Sequence, residues 1–276
     1  MPMARINGVN LFYEETGKGP EAIVLVHGSW GDHHNWDGVV PSLAEPYRVV
    51  TYDRRGHSQS ERPTGQGSIH EDVEDLEALV RHLGVAPAHI VGNSFGASIV
   101  LGLALKHPST FRSLVVHEPP LVQLLADDPK TQPMLQEVGK RISAVASLLA
   151  RGDAEGGAKQ FVETVAFGPG AWDRLPAAGR QTFIANAATF LDEERDPDAF
   201  SLDLAGLARF QPPVLLTQGG TSPPFFPFIL ARIHDALPRA EFKVFDSAGH
   251  VPHLSHPAEY VQALTAFLGK NGQKRS

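Results

Sequence analysis

The run Gly92-Asn93-Ser94-Phe95-Gly96 sets one serine between two glycines. A serine hydroxyl at neutral pH is a poor nucleophile and needs a base within hydrogen-bond reach. Ile90-Val91 reads as the end of a strand and Phe95 as the start of a helix, so Ser94 is expected on a sharp strand-to-helix turn. Such a turn raises the hydroxyl, and the flanking glycines leave room for the backbones that approach it. Without a partner base the same pattern would be only a tight turn. His250, in Ser247-Ala248-Gly249-His250 after the last strand, is the candidate base; His253 and His256 are assigned structural roles. Acyl transfer also requires backbone N–H groups aimed where negative charge develops on the carbonyl oxygen. His27-Gly28-Ser29-Trp30 follows a buried strand and offers the N–H of Ser29, with Trp30 as the alternative. Phe95, at a helix N-terminus, offers the second donor. Trp30 and Asn93, beside these donors, are the candidates to contact substrate.

These residues need a scaffold that brings chain-distant loops to one edge. Ala22 to Val26 is a continuous apolar run ended by Gly28, the pattern of a strand buried on both faces. Similar runs recur at Tyr47 to Tyr52, His89 to Val91, Leu114 to Val116, Val214 to Leu216 and Phe242 to Phe245. Helical spacing fills the gaps at Glu71 to Leu83, Phe95 to Leu105 and Ala258 to Leu268. Ile6 to Tyr13, with its Asn-Gly, predicts two short antiparallel strands at a sheet edge. The alternation predicts an α/β fold with a mostly parallel, doubly wound sheet. Between Glu118 and Pro213 the alternation stops for roughly 90 residues, too long for a simple crossover. Helical periodicity at about Met134 to Leu149 and Gly179 to Leu191 marks this stretch as an inserted helical cap. The expected division is a core of residues 1–120 and 206–276 with a cap over 121–205. Nine of the 15 phenylalanines lie from Phe161 to Phe228, which predicts an apolar space beneath the cap where they are not simply the cap's own core.

In order along nearly the whole chain, His27-Gly28, Asp53-Arg54-Arg55-Gly56-His57-Ser58-Gln59-Ser60, Gly92 to Gly96, Pro213-Val214-Leu215-Leu216 and Gly249-His250 resemble the α/β-hydrolase fold serine hydrolases. The resemblance implies Ser94 as nucleophile, His250 as base, the N–H groups of Ser29 and Phe95 as oxyanion donors, and a structural role for Asp53 and Arg55. One element departs from the pattern. Where the family usually carries Gly-x-x-Asp, whose acid orients the histidine, this chain has Gly219-Gly220-Thr221-Ser222. Glu118, at the end of the strand after the nucleophile helix, is the expected replacement, because some relatives, the haloalkane dehalogenases among them, draw their acid from that strand end. Asp246 is the competitor, though close to its own strand.

The remaining observations exclude partners. With 24 Lys and Arg against 31 Asp and Glu, the net charge of -7 disfavours nucleic acid and anionic membrane surfaces. No apolar run approaches the ~20 residues of a spanning helix. There is no cysteine, and the 13 histidines show no metal-ligand spacing, so no metal and no cofactor is expected. No secretory leader is visible in Met1 to Glu15, which makes the cytoplasm the expected compartment. Asn271 to Ser276 read as a polar frayed tail. The oligomeric state is expected to be monomer or homodimer. The expected activity is cleavage of a small, apolar carboxylic ester or lactone through an acyl-enzyme. Gly-Asn-Ser with His-Gly-Ser also resembles the carbon–carbon hydrolases of ring-fission diketones, and loss of the usual acid leaves open a non-catalytic ligand binder. Serine at the nucleophile position argues against dehalogenase and epoxide hydrolase chemistry, for which related enzymes use Asp.

Overall fold

The computed structural model describes residues 2–272. Eight strands form one sheet: β1 (Met3–Ile6), β2 (Val9–Thr16), β3 (Ala22–Val26), β4 (Arg48–Tyr52), β5 (Ala88–Asn93), β6 (Phe111–His117), β7 (Val214–Gly219) and β8 (Glu241–Phe245). Their spatial order is β1-β2-β4-β3-β5-β6-β7-β8. The pairs β1·β2 and β2·β4 are antiparallel and the rest are parallel. The Asn-Gly turn joins β1 to β2, with Asn7 and Gly8 both left-handed at φ 44° and 84°, the geometry that a two-residue hairpin demands.

All five residues of β3 and all six of β5 are buried, as expected for strands covered on both faces. On one face pack α1 (Ile69–His82) and α2 (Phe95–Lys106), which share a core with β3, β5 and β6. The α1 helix starts where Ser68 Oγ accepts the His70 N–H at 3.1 Å, with Glu71 and Asp72 in its first turn. The other face is covered by Trp36, Leu43 and the C-terminal helix, of which Tyr260, Leu264, Phe267 and Leu268 are buried. Asn271 and Gly272 continue that helix (Pro257–Gly272) rather than fraying; the expected tail over 273–276 lies outside the described residues.

The stretch between β6 and β7 is helical. It contains α3 (Gln132–Ala150), α4 (Ala154–Phe161), α5 (Ala177–Ala185) and α6 (Ala187–Arg195). The single helix expected at Gly179 to Leu191 is two helices meeting at Asn186 (φ -92°, ψ 2°), whose side chain is drawn into the sheet's loops. The insert has an apolar cluster of its own, formed by Val145, Leu149, Ala158, Val162, Trp172 and Phe190, with Trp30 of the core set into it. The phenylalanine-rich segment therefore splits by location. Phe161, Phe183 and Phe190 surround Trp30, whereas Phe225 and Phe226 pack with the main core at the start of α7 (Phe226–Ala236). Among the described residues no helix is long and apolar enough to cross a membrane.

Candidate active site

Ser94 stands between β5 and α2 with φ 56° and ψ -125°, a conformation that non-glycine residues adopt only when their surroundings enforce it. Three glycines do so. A Cβ on Gly92 would lie 2.4 Å from Gly96 O, one on Gly96 2.3 Å from Val26 O, and one on Gly28 2.8 Å from Ser94 Cβ. Each contact is shorter than a side chain tolerates, so β3, the Gly28 loop and the turn close on one another only as glycines. The Ser94 N–H donates to His117 O at 2.9 Å, tying the turn to β6.

Glu118 follows β6 and is fully buried, with φ 45°. Its Oε2 lies 2.7 Å from His250 Nδ1, and its Oε1 accepts the Gly219 N–H at 2.7 Å. The strand that carries the family's usual acid thus supplies a backbone donor to Glu118. Gly219 itself has no space for a side chain, because a Cβ there would lie 2.3 Å from Gly249 O. Asp246 is exposed and makes no hydrogen bond or ion pair with the imidazole among the described residues.

A second histidine touches the same carboxylate. His117 Nε2 is 3.5 Å from Glu118 Oε2, and His117 Nδ1 is 2.9 Å from Thr217 Oγ1. Thr217 Oγ1 also donates to Val116 O at 3.2 Å, and His117 Nε2 makes no hydrogen bond among the described residues. Burial disfavours the Glu118 charge, but the adjacent His117 and His250 imidazoles outweigh it and hold the carboxyl far below its usual range. Burial also lowers the pKa of His117, which keeps it neutral.

His250 is fixed from two further directions. Its ring stacks on Phe226, centroids 4.7 Å apart and planes 13° apart, and its carbonyl accepts from Asn93 Nδ2 at 3.0 Å. Ser94 Oγ and His250 Nε2 make no hydrogen bond to each other among the described residues, as is common before a substrate is bound.

The loop after β3 completes the arrangement. The N–H groups of Ser29 and Phe95 donate to no group among the described residues, which leaves both available. His27 is buried; its Nε2 accepts the Arg54 N–H at 3.0 Å and its Nδ1–H donates to Gly28 O at 2.8 Å. Desolvation, reinforced by Arg54, lowers its pKa to about 4, so it locks this loop as a neutral imidazole.

Trp30 and Asn93, expected to contact substrate, are otherwise engaged. Trp30 is completely buried, between 4.9 and 6.0 Å from the rings of Phe161, Phe183 and Phe190. The Asn93 amide is bonded to the His250 carbonyl. Asp53 accepts from His33 and Gln59, and Arg55 pairs with Asp75 and Glu71; both hold loops. His253 is buried against Trp36 with centroids 4.4 Å apart.

Sequence reasoning missed His117, Phe226, Asn186 and Glu193. The apolar Phe226 carries no chemical signal, and the two insert residues become relevant only once the insert has docked. One group of three potential metal ligands exists among the described residues, namely His117, Glu118 and His250, with ligand atoms within 4.8 Å of one another. Of these, His250 Nδ1 is held by Glu118 and His117 Nδ1 by Thr217.

Sheet order, turn and loop geometry define an α/β hydrolase. The family described as alpha/beta hydrolase fold matches residues 21–257, and the chain belongs to it. The uncharacterized hydrolase YraK of Bacillus subtilis is 40% identical over 123 residues, 44% of this chain and 45% of that protein; the match thus spans less than half the length of that relative. The sn-1-specific diacylglycerol lipase ABHD11 of Mus musculus is 26% identical over 276 residues, covering 90% of this chain and 80% of that protein. Among solved structures, the enol-lactonase from Burkholderia xenovorans superposes with a TM-score of 0.77 at 20% identity, over 97% of this chain and all of that one. This last likeness is one of fold.

Proposed function

We propose that this α/β hydrolase cleaves small carboxylic esters or lactones through an acyl-enzyme, with Ser94 as nucleophile, His250 as general base and Glu118 as the acid that orients it. The observation that carries the reading is the 2.7 Å contact between Glu118 Oε2 and His250 Nδ1 beside a serine held at φ 56°. Glu118 holds the proton on Nδ1 and turns Nε2 outward as the acceptor. In this reading Ser94 Oγ attacks the ester carbonyl while His250 Nε2 takes its proton. The carbonyl oxygen becomes an oxyanion between the Ser29 and Phe95 N–H groups, and the proton passes to the leaving alcohol. Water repeats the sequence on the acyl-enzyme and releases the acid, with no cofactor required.

An ester or lactone is favoured by serine itself, because it forms an acyl intermediate that water can discharge. The named activities of the mouse lipase and the enol-lactonase concern the same class of bond. The helical insert, read as a cap over 121–205, would cover the acyl group. A binder without catalysis is disfavoured, since the carboxylate that the sequence pattern lacks is supplied from β6.

Two measurements test the reading: hydrolysis of p-nitrophenyl esters of graded acyl length together with small lactones, and labelling by a fluorophosphonate. Turnover and labelling are expected, both lost in Ser94→Ala. A folded protein that neither turns over nor labels would refute it.

A further inference from the structure

Resting on the reading just given, we propose that the helical insert is the scaffold of the oxyanion hole, with Glu193 and Asn186 as positioning residues that fix the Ser29–Gly31 loop.

Three independent contacts converge on that loop from the insert. Glu193 of α6 accepts the Ser29 hydroxyl on Oε2 at 2.5 Å. Asn186, at the α5–α6 junction, donates through Nδ2 to Trp30 O at 3.2 Å and Gly31 O at 2.9 Å, and its Oδ1 accepts the Ser58 N–H at 2.7 Å. The Trp30 indole is the third, enclosed by Phe161, Phe183 and Phe190. Trp30 holds φ 66°, which is strained for a tryptophan. The loop's shape therefore depends on partners outside it, and those partners belong to the insert.

Glu193 also reaches the second donor. Its Oε1 binds Arg54 Nη1 and Nη2 at 3.1 Å each; Arg54 is paired with Asp72 at 3.0 and 3.1 Å, and its guanidinium lies 4.7 Å from the centre of the Phe95 ring. One buried cluster thus touches Ser29 on one side and Phe95 on the other. Asp72 takes the Arg54 Nε–H and one Nη2–H, and Glu193 Oε1 is the recorded partner of Nη1. Glu193 thus ties Arg54 through Oε1 and, through Oε2, holds Ser29 on the catalytic side. An insert that swung away would take Glu193 and Asn186 with it and release the Ser29 N–H, so the enzyme would complete its oxyanion hole only with the insert docked.

The experiment compares Ser29→Ala, Glu193→Gln, Asn186→Ala and the double variant S29A/E193Q with wild type on a p-nitrophenyl ester. Turnover is normalised to active sites titrated by the acyl burst, so that any misfolded fraction drops out. Ser29→Ala keeps the backbone N–H and removes only the tie. About a tenfold fall in kcat per active site with KM within twofold is expected for each single variant, because the oxyanion forms only in the transition state. The double variant should fall no further than the worse single one. Single variants within twofold of wild type in kcat, or losses confined to KM, or multiplicative losses in the double variant would overturn the proposal. Absence of ester turnover in the wild type would instead refute the parent reading.

Discussion

Glu118 accepts the Gly219 N–H on Oε1 at 2.7 Å while its Oε2 holds His250 Nδ1 at the same distance. The ends of β6 and β7 thus act on one imidazole together, β6 providing the carboxylate and β7 securing it. Since Gly219 admits no side chain, an acid on β7 would have to come from further along the turn. Ser222 is the family's position for it, and the Ser222 Oγ lies 2.6 Å from where a Gly219 Cβ would stand.

Glu118→Gln should lower kcat roughly a thousand- to ten-thousand-fold while the fold is kept, because the amide no longer holds the histidine tautomer that the reaction needs. Adding Ser222→Asp in the E118Q background should restore at least tenfold, since the carboxylate returns from the neighbouring strand. Burst kinetics and circular dichroism check both. Activity of E118Q near the wild-type level would remove Glu118 from the triad.

His250 is aimed from behind as well as held at Nδ1. The Phe226 ring lies nearly parallel to it, 13° between planes, and Asn93 grips its carbonyl. Phe226→Leu should keep an apolar side chain there but give up the flat face. A drop of about tenfold in kcat is expected, with stability lowered by about 1–2 kcal/mol for the buried volume removed. Denaturant titration alongside turnover separates the two effects. A stability loss with unchanged kcat would make Phe226 a packing residue only.

Burial, together with the charge of Asp72, pushes Glu193 up to about 7 although Arg54 and Ser29 favour its charged form. In the unfolded chain the same carboxyl titrates near its ordinary value of about 4.5. Between those values the native state binds the extra proton, so stability should fall as pH rises from about 4.5 to about 7 and level off above. The difference is on the order of 3 kcal/mol. Glu194, also raised to about 7 by burial and by Glu193, adds a slope of the same sign. Denaturation at pH 5 and pH 8 should therefore show a markedly smaller pH effect in Glu193→Gln than in wild type. Equal slopes would mean that Glu193 stays ionised throughout.

The features legible from sequence are those encoded in local pattern. Apolar runs mark β3 to β7, since a strand buried on both faces has no polar side to show; β8, at the sheet edge, mixes Glu241 and Lys243 with Phe242, Val244 and Phe245. The Asn-Gly pair marks the β1–β2 hairpin, and the glycines around Ser94 mark the turn. The contact of Glu118 with His250 could be expected because the chain lacks the usual acid after β7 and the resemblance points to the end of β6 instead. The engagements of Trp30 and Asn93 are not legible, because adjacency in sequence to a reactive group does not say where a side chain points. Glu193 is invisible for a different reason: 164 positions separate it from Ser29, and nothing in α6 itself distinguishes it from a solvated helix carboxylate. Asn186 breaks a helix whose apolar spacing runs straight through it, as a side chain recruited by tertiary contacts will.

Gly28 faces Ser94 directly. A Cβ there would lie 2.8 Å from Ser94 Cβ, 3.1 Å from Asn93 O and 3.4 Å from Ser94 Oγ. Neither side can yield easily: the serine turn is pinned to His117 O, and Gly28 O is held by His27. Gly28→Ala should therefore move the hydroxyl away from His250 and cut kcat by about a hundredfold, the loss expected when a reacting atom shifts by roughly 1 Å. Overpacking should lower stability by about 1–3 kcal/mol. Fluorophosphonate labelling of the folded variant gives the decisive comparison: a label rate reduced in step with kcat places the defect at the nucleophile, whereas a wild-type label rate would show that the serine tolerates the crowding.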